Sequence, residues 1–257
     1  MQPADLAANI NRFQRGMAAE IGCSIDDFRS DALAIVERPE DCWEPYALKI
    51  VTFGTGTVIS AEPRYLEFVR SIAIEPHFRA FTPPVLLAPF AAECARRAEE
   101  ITWRGPGLGF VPGGTIETIP IAAGFTLERV GEAWRESHLA TRVFANALGE
   151  PDDIVAGDLW WFALVLFGPD GEPAAAAGAY RDGLDRLEIG VDVARAHRGM
   201  GLAPIVVTAM AAEAEAMGLM PSYYCAPTNI RSQRTAWSCG FVPALSHAVA
   251  RLAHNTA

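Results

Sequence analysis

Lysine is almost absent from this chain. Lys49 is the only one in 257 residues, so arginine carries nearly all the positive charge, and no function follows from that bias. Positive charge is also outnumbered, with 21 Lys and Arg against 31 Asp and Glu, a formal net charge of −10. A surface of that sign repels a phosphate backbone, so nucleic acid is not an expected partner. Cysteine is sparse. Cys23, Cys42, Cys94, Cys225 and Cys239 are scattered, odd in number and never spaced Cys-x-x-Cys, which argues against a disulfide framework and a structural zinc site. The histidines His77, His138, His197, His247 and His254 stand apart from plausible metal partners, so no metal is expected. Long apolar runs are missing too. "LWWFALVLFG", residues 159–168, is too short to span a bilayer. The opening "MQPADLAANINRF" shows no basic stretch followed by an apolar one, so no signal peptide and no membrane partner are expected. The default expectation is a cytoplasmic protein.

What is present is a globular balance, 51% hydrophobic and 20% charged residues, in a length that suits one large domain or two modest ones. "ADLAANINRFQRGMAAEIG" reads as an amphipathic helix ending at Gly22, and "SIDDFRSDALAIVER" as a helix capped by Ser24. "YALKIVTFGTGTVIS" reads as two strands around Gly54–Gly56. "EPRYLEFVRSIA" and "PFAAECARRAEEI" are helical by spacing, with "PHFRAFTPP" between them as a loop or short strand. The densest Gly/Pro stretch, "RGPGLGFVPGGTIETIP" at 104–120, reads as a linker or wide turn. It places a boundary between a mixed α/β N-terminal domain of unknown role, residues 1–120, and a second domain, residues 121–257.

The second half is clearer. "EAWRESHLATRVFANAL" reads as a helix ending at Gly149, "LWWFALVLFG" as a strand, "PDGE" as a hairpin turn and "PAAAAGAY" as the return strand. In the strand "RLEIGVDV", Leu187, Ile189, Val191 and Val193 share one face while Glu188 and Asp192 share the other. A helix over "GLAPIVVTAMAAEAEAMG", a strand "MPSYYCAP", a short helix "NIRSQRTAWSCG" capped by Asn229 and a closing strand "FVPALSHAVARLA" follow. An antiparallel run feeding a βαβ unit predicts an α/β fold with a mixed sheet, not a doubly wound parallel one.

The turn "AHRGMG" between strand and helix carries the chemistry. His197, Arg198, Gly199, Met200, Gly201, Leu202 and Ala203 place several backbone N–H groups around one point at a helix N-terminus. Gly199 and Gly201 let an oxygen approach the backbone, and Arg198, with Arg195, adds fixed positive charge. A phosphate or pyrophosphate fits such a site. A plain strand-to-helix turn with solvated arginines fits the same residues.

From strand to closing segment, "LEIGVDVARAHRGMGLAPIVVTAMAAEAEAMGLMPSYYCAPTNIRSQRTAWSCGFVP" resembles the GNAT superfamily of N-acetyltransferases. The family loop Gln/Arg-x-x-Gly-x-Gly/Ala corresponds to Ala196–Gly201, with Ala196 departing from the pattern at its first position. The family's Asn-x-x-Ser/Ala, short helix and Gly-Phe correspond to Asn229, Ser232, Gly240 and Phe241. The likeness covers residues from about 126 to 250, and residues 1–120 look like the additional N-terminal domain of some members. It implies a GNAT-like acyltransferase fold in the C-terminal half. It also implies acetyl-CoA as cosubstrate, held by the 197–203 turn and by the backbone of Ile189, Val191 and Val193, with Asn229 and Ser232 near the pantetheine. An amide of Val191 or a neighbour would face the thioester oxygen.

The chemistry the resemblance implies is direct attack of a neutral amine on the thioester. Glu188, a carboxylate inside an otherwise apolar strand, reads as the proton acceptor, or as half of an ion pair with Arg186 or an N-terminal-domain arginine. Asp192 reads as a brace for a loop. Many relatives carry a Tyr seven residues after the Asn, where this chain has Ala236, with Trp237 beside it. Tyr224, or Tyr223, is the substitute acid, with core packing as the plainer reading of both. Solvent protonation of the thiolate is the remaining route. Cys225 and Cys239 read as small buried hydrophobes. Of Trp160 and Trp161, at least one is core and the other is free to wall a pocket.

The expected partners are acetyl-CoA and a small amine or peptide amine, with a homodimer left open. The missing Tyr supports an alternative, a non-catalytic acyl-CoA-binding sensor or interaction module. A nicotinamide-dependent oxidoreductase built on Gly105–Gly109 would need a parallel βαβ unit that the pattern lacks there.

Overall fold

The computed structural model describes residues 3–42, 45–149, 159–183 and 185–253. His254 lies outside them. Two compact units are formed, and neither is one continuous stretch. One combines Met1–Asn9, Phe110–Tyr224 and Asn229–Val242, and the other Ile10–Gly109, Cys225–Thr228 and Pro243–Ala257.

The unit around Ile10–Gly109 holds the part of α1 (Pro3–Ile21) from Ile10 on, which buries Phe13, Met17 and Ile21 at helical spacing and stops at Gly22, whose φ of +74° only glycine adopts freely. Ser24 caps as expected, with a reciprocal bond to Asp27, but the helix it opens is a single 3-10 turn, Ile25–Phe28. The apolar "LAIVE" that follows is β1 (Leu33–Glu37), paired in parallel with β3 (Thr57–Ala61). Its branched Ile35 and Val36 suit a pleated surface better than a helix. β2 (Leu48–Thr52) pairs antiparallel with β3 around the expected glycine turn. α2 (Leu66–Ser71) and α3 (Ala88–Arg96) are helices, and the stretch between them is neither loop nor strand but a 3-10 turn at His77–Phe81 and a π turn at Pro83–Leu87. The core gathers Leu48, Ile50, Ile59, Tyr65, Val69 and Phe90. Lys49 lies in this unit, buried and paired with Glu20.

The Gly/Pro stretch also departs from expectation. β4 (Ile101–Pro112) runs straight through Gly105, Gly107 and Gly109. Gly105, left-handed at φ +99°, and Gly107 both meet close contacts inside the strand. A Cβ on Gly105 would lie 2.7 Å from the carbonyl oxygen of His247, and one on Gly107 2.5 Å from the His247 ring. His247 belongs to the closing strand, β10 (Phe241–Leu252), and strand order in this unit is β1-β3-β2-β10-β4.

The unit around Phe110–Tyr224 carries β5 (Thr126–Val130), α4 (Glu132–Leu139), α5 (Ala145–Leu148), β6 (Trp160–Phe167), β7 (Pro173–Asp182), β8 (Arg186–Val193), α6 (Leu202–Ala216), β9 (Met220–Cys225) and α7 (Ile230–Ser238). The long helix expected over 132–148 is two pieces, interrupted where Arg142 takes a φ of +54° beside Thr141 and Val143. Strand order is β5-β6-β7-β8-β9, antiparallel up to β8 and parallel between β8 and β9. The sheet is mixed, as the α/β reading requires.

Register sorts the faces. Leu187 and Ile189 are buried on one face with Ala175, Ala177 and Ala179 beside Val193, Val191 and Ile189. Helix α6 packs against β7 and β8 through Ile205, Val206, Met210 and Ala214. The run of alanines gives a nearly flat seat, so a helix apolar on most sides comes close to the strands. The opposite face is mixed: Tyr180, Asp182, Arg186, Glu188, Asp192, Ser222 and Tyr224 share it with a buried apolar cluster of Val165, Ala176, Trp160 and Leu148.

Candidate active site

β8 and β9 start as neighbours and then part. Their ladder runs Arg186↔Met220, Leu187↔Pro221 and Glu188↔Ser222, and ends there among the described residues. β8 continues to Val193 with β7 on its other side, so the edge of Ile189–Val193 that faces β9 has no strand partner among the described residues. An unpaired edge of this kind can accept an extended ligand as an added strand.

The edge leads into the turn. Arg195–His197 forms one 3-10 turn, and α6 begins after Gly201, in the left-handed region at φ +75°. Gly199 is also left-handed, at φ +85°. Two of the amides expected to be free are spent inside the turn: His197 N–H donates to the Ala194 carbonyl at 2.9 Å, and Arg198 N–H to the Arg195 carbonyl at 3.5 Å. Those of Gly199, Met200, Gly201, Leu202 and Ala203 find no acceptor among the described residues. Five donors thus stand at the positive end of a 15-residue helix. A Cβ built on Gly199 or Gly201 meets nothing within 4 Å, so the space before them is open. Leu202 itself turns inward, 2% exposed, and offers only its amide.

The side chains here differ from the backbone. The His197 ring packs edge-on against Phe125, 6.3 Å between centroids, away from the amides. Arg198 folds back, its Nε donating to the Val193 carbonyl at 3.3 Å. Met200 is exposed.

Glu188 is the last residue of the β8 ladder before the strands part, half-buried, with Tyr180 opposite on β7 and Ser222 on β9. Tyr224, the expected acid, is already engaged. Its hydroxyl donates to Asp182 Oδ2 at 2.9 Å. Asp182 also accepts from Ser222 Oγ at 2.9 Å and from Arg186 Nε and Nη2, each at 3.1 Å. Arg186 is the largest fully buried side chain of the described residues, so this carboxylate is neutralised in place. Tyr223 points to the other face, shares a 2.7 Å hydrogen bond with Ser232, and lies edge-on to Phe110. Asn229 caps α7, its Oδ1 accepting from the Ser232 amide at 3.1 Å. Burial pushes the Cys239 thiol up to about 11, which leaves it inert near neutral pH. Trp160 is buried, and Trp161 is exposed beside Arg181.

The Asp182–Arg186 pair escaped the sequence reading. The available signal was an acid and a base four residues apart across the "RDGLDR" turn. Gly178 and Gly190, two strand glycines without a turn to serve, were a second overlooked signal.

Residues 130–241 match the family model described as the Acetyltransferase (GNAT) family. Residues 130–241 form a GNAT-family domain. No curated protein matches the chain. Among solved structures, the chain is similar to a GCN5-related N-acetyltransferase-like protein from Streptococcus suis, at 16% identity over 83% of this chain and 86% of that one, TM-score 0.48. A GCN5-related N-acetyltransferase from Kribbella flavida matches at 18% identity over 96% of each chain, TM-score 0.45. A GNAT-family protein from Novosphingobium aromaticivorans matches at 20% over 59% of this chain and 64% of that one, TM-score 0.44. The GNAT domain thus spans β6 to β9, the parted strands and the turn. No helix among the described residues is long and apolar enough to cross a membrane.

Proposed function

We propose that the protein transfers an acetyl group from acetyl-CoA to a primary amine by direct attack. The observation that carries this reading is the early end of the β8–β9 ladder, continued by five amides at the head of α6 that have no acceptor among the described residues. The diphosphate would accept from the amides of Gly199 to Ala203, with Arg198 and Arg195 adding charge. The pantetheine arm would run along the open edge of Ile189, Val191 and Val193, with Asn229 and Ser232 bounding its other side. Acetyl-CoA then places its thioester where the strands part, next to Glu188.

The neutral amine attacks the thioester carbonyl, and a C–N bond forms as the carbonyl electrons move to oxygen. An amide of β8, at Val191 or its neighbour, stabilises that oxygen. The C–S bond breaks as the carbonyl re-forms, and the amine proton passes to Glu188. The thiolate takes its proton from water, since Ala236 has no proton to give and the Tyr224 hydroxyl faces Asp182. Acidic groups on the face that bears Glu188 favour a cationic acceptor in its approach.

The test is amine-dependent thiol release from acetyl-CoA in the wild type and in Glu188→Gln. The variant is expected to lose roughly 10²-fold or more in kcat, with acetyl-CoA affinity unchanged. Unchanged turnover removes Glu188 from the reaction. Ala236, and a Tyr224 hydroxyl given to Asp182, favour a second reading, a non-catalytic acyl-CoA-binding module. Tight acetyl-CoA binding without thiol release across a broad amine panel selects it.

A further inference from the structure

One side chain already lies on the open edge of β8. Ala194 N–H donates to the Ala174 carbonyl at 2.9 Å, so residue 194 faces β7. Residues of an antiparallel pair face the partner and face away in turn, so Val193, Val191 and Ile189 direct their N–H and C=O groups to the open side. The Val193 carbonyl is thus the last acceptor of that edge before the turn. Arg198 Nε donates to it at 3.3 Å.

Arg198 bends back to make this bond. It stands five residues further on, directly before Gly199, and is exposed. Asp192 adds to the hold. Its Oδ2 accepts from the Asn146 and Ala147 amides at 2.6 Å and 3.1 Å, and its charge also acts on Arg198.

The guanidinium therefore has two places to be. A pantetheine arm lying along the edge as an added strand would donate an amide N–H to the Val193 carbonyl, the acceptor that Arg198 now takes. A diphosphate over the amides of Gly199 to Ala203 attracts the guanidinium more strongly than a neutral carbonyl does, because both partners then carry charge. Arg198 adjoins Gly199, so rotation about its own side-chain bonds carries it from the edge to the turn while the backbone stays in place.

We propose that Arg198 selects the acyl donor, by covering the end of the β8 edge until a diphosphate draws it away. A thioester of coenzyme A brings that diphosphate and clears its own path. A thioester of pantetheine alone must displace the guanidinium with no anion to receive it, and is disfavoured. This rests on the acyl-CoA reading proposed above.

The experiment measures the Kd for coenzyme A and for pantetheine, with and without inorganic pyrophosphate, by NMR titration of backbone amides at constant ionic strength. Wild type and Arg198→Met are compared. In the variant the Kd for coenzyme A is expected to rise at least about tenfold, for the loss of a charge-assisted hydrogen bond. The Kd for pantetheine should fall by about three- to tenfold, because the donor competing for the Val193 carbonyl is gone. A merely structural role for Arg198 would weaken both ligands, so the opposite signs are diagnostic. The wild type gives a second readout that needs no substitution. Saturating pyrophosphate should tighten pantetheine by about threefold or more, and the coupling should vanish in Arg198→Met. Pantetheine affinity unchanged or weaker in the variant, native coenzyme A affinity there, or pyrophosphate that fails to tighten pantetheine in the wild type overturns the proposal. A wild type that binds no coenzyme A defeats the acyl-CoA reading itself, and the selection with it.

Discussion

Tyr224 and Asp182 are joined by a 2.9 Å hydrogen bond from the hydroxyl to Oδ2, an oxygen that also accepts from Ser222 and Arg186. A phenol whose proton is committed to a carboxylate is poorly placed to give it to a departing thiolate. Tyr224→Phe is therefore expected to lower stability by about 1.5–3 kcal/mol, the range for a hydrogen bond to a charged group. Amine-dependent thiol release should fall less than about tenfold, short of the usual loss of an acid. Urea unfolding and thiol-release kinetics check the two halves. A kcat loss above roughly a hundredfold in a folded variant restores Tyr224 as the acid.

Asp182 matters more for stability than for chemistry. Asp182→Ala would take from the Arg186 guanidinium, whose side chain has no exposure, its two 3.1 Å hydrogen bonds to a carboxylate. Stripping the partner from a buried charge costs about 3–5 kcal/mol. Replacing both, as Asp182→Leu with Arg186→Met, should recover most of that, because no charge is left behind. Denaturant midpoints of the wild type, the single and the double variant decide it. A double variant no more stable than the single would mean that the pair is worth more than its desolvation cost.

Where the pattern was local, the sequence was readable. The alternation of Leu187, Ile189, Val191 and Val193 against Glu188 and Asp192 needs only the period of a strand, and both faces are as expected. Gly201 before an apolar run marks the head of α6, and Asn229 caps α7 through Ser232. Ser24 shows the limit of such signals, because a sound cap opened one turn before the branched residues of β1 took over. Partners distant in the chain were not readable. Ser222 and Tyr224 reach Asp182 from 40 and 42 residues away, and Asp192 reaches Asn146 across 46. No periodicity encodes those meetings. Gly105 and Gly107 were misread for the same reason, since the ring and carbonyl that need their space belong to His247.

Gly201 offers a way to separate backbone strain from ligand contact. Its φ is +75°, and a Cβ there meets no atom within 4 Å. Gly201→Ala should therefore cost about 1–2 kcal/mol through conformation alone. Gly201→Asn, which tolerates the left-handed region, should regain much of that. Both add a side chain where an oxygen of the diphosphate would approach, so both should weaken acetyl-CoA binding, by about tenfold for the lost charge-assisted hydrogen bonds. Calorimetric titration with acetyl-CoA measures it. Native affinity in Gly201→Asn would show that these amides hold no diphosphate.

Asp192 gives the fold a pH dependence of definite sign. Burial raises its carboxyl above the usual range, against the hydrogen bonds from Asn146 and Ala147 and the nearby charge of Arg198. The unfolded chain loses this proton near about pH 3.9. Between that value and the higher folded one, the folded state binds more protons, so stability falls as pH rises and levels off above the folded value. Glu93, lowered by Arg96 and Arg97, acts in the opposite sense, its contribution being lost as pH falls. A whole-protein curve mixes the two, and the difference between wild type and Asp192→Asn isolates the first. Unfolding free energies compared from about pH 4 to about pH 7 should show the wild type losing ground to the variant as pH rises. A difference that moves the other way would mean that the α5 amides and Arg198 outweigh the loss of water, and that Asp192 binds its helix more tightly when charged.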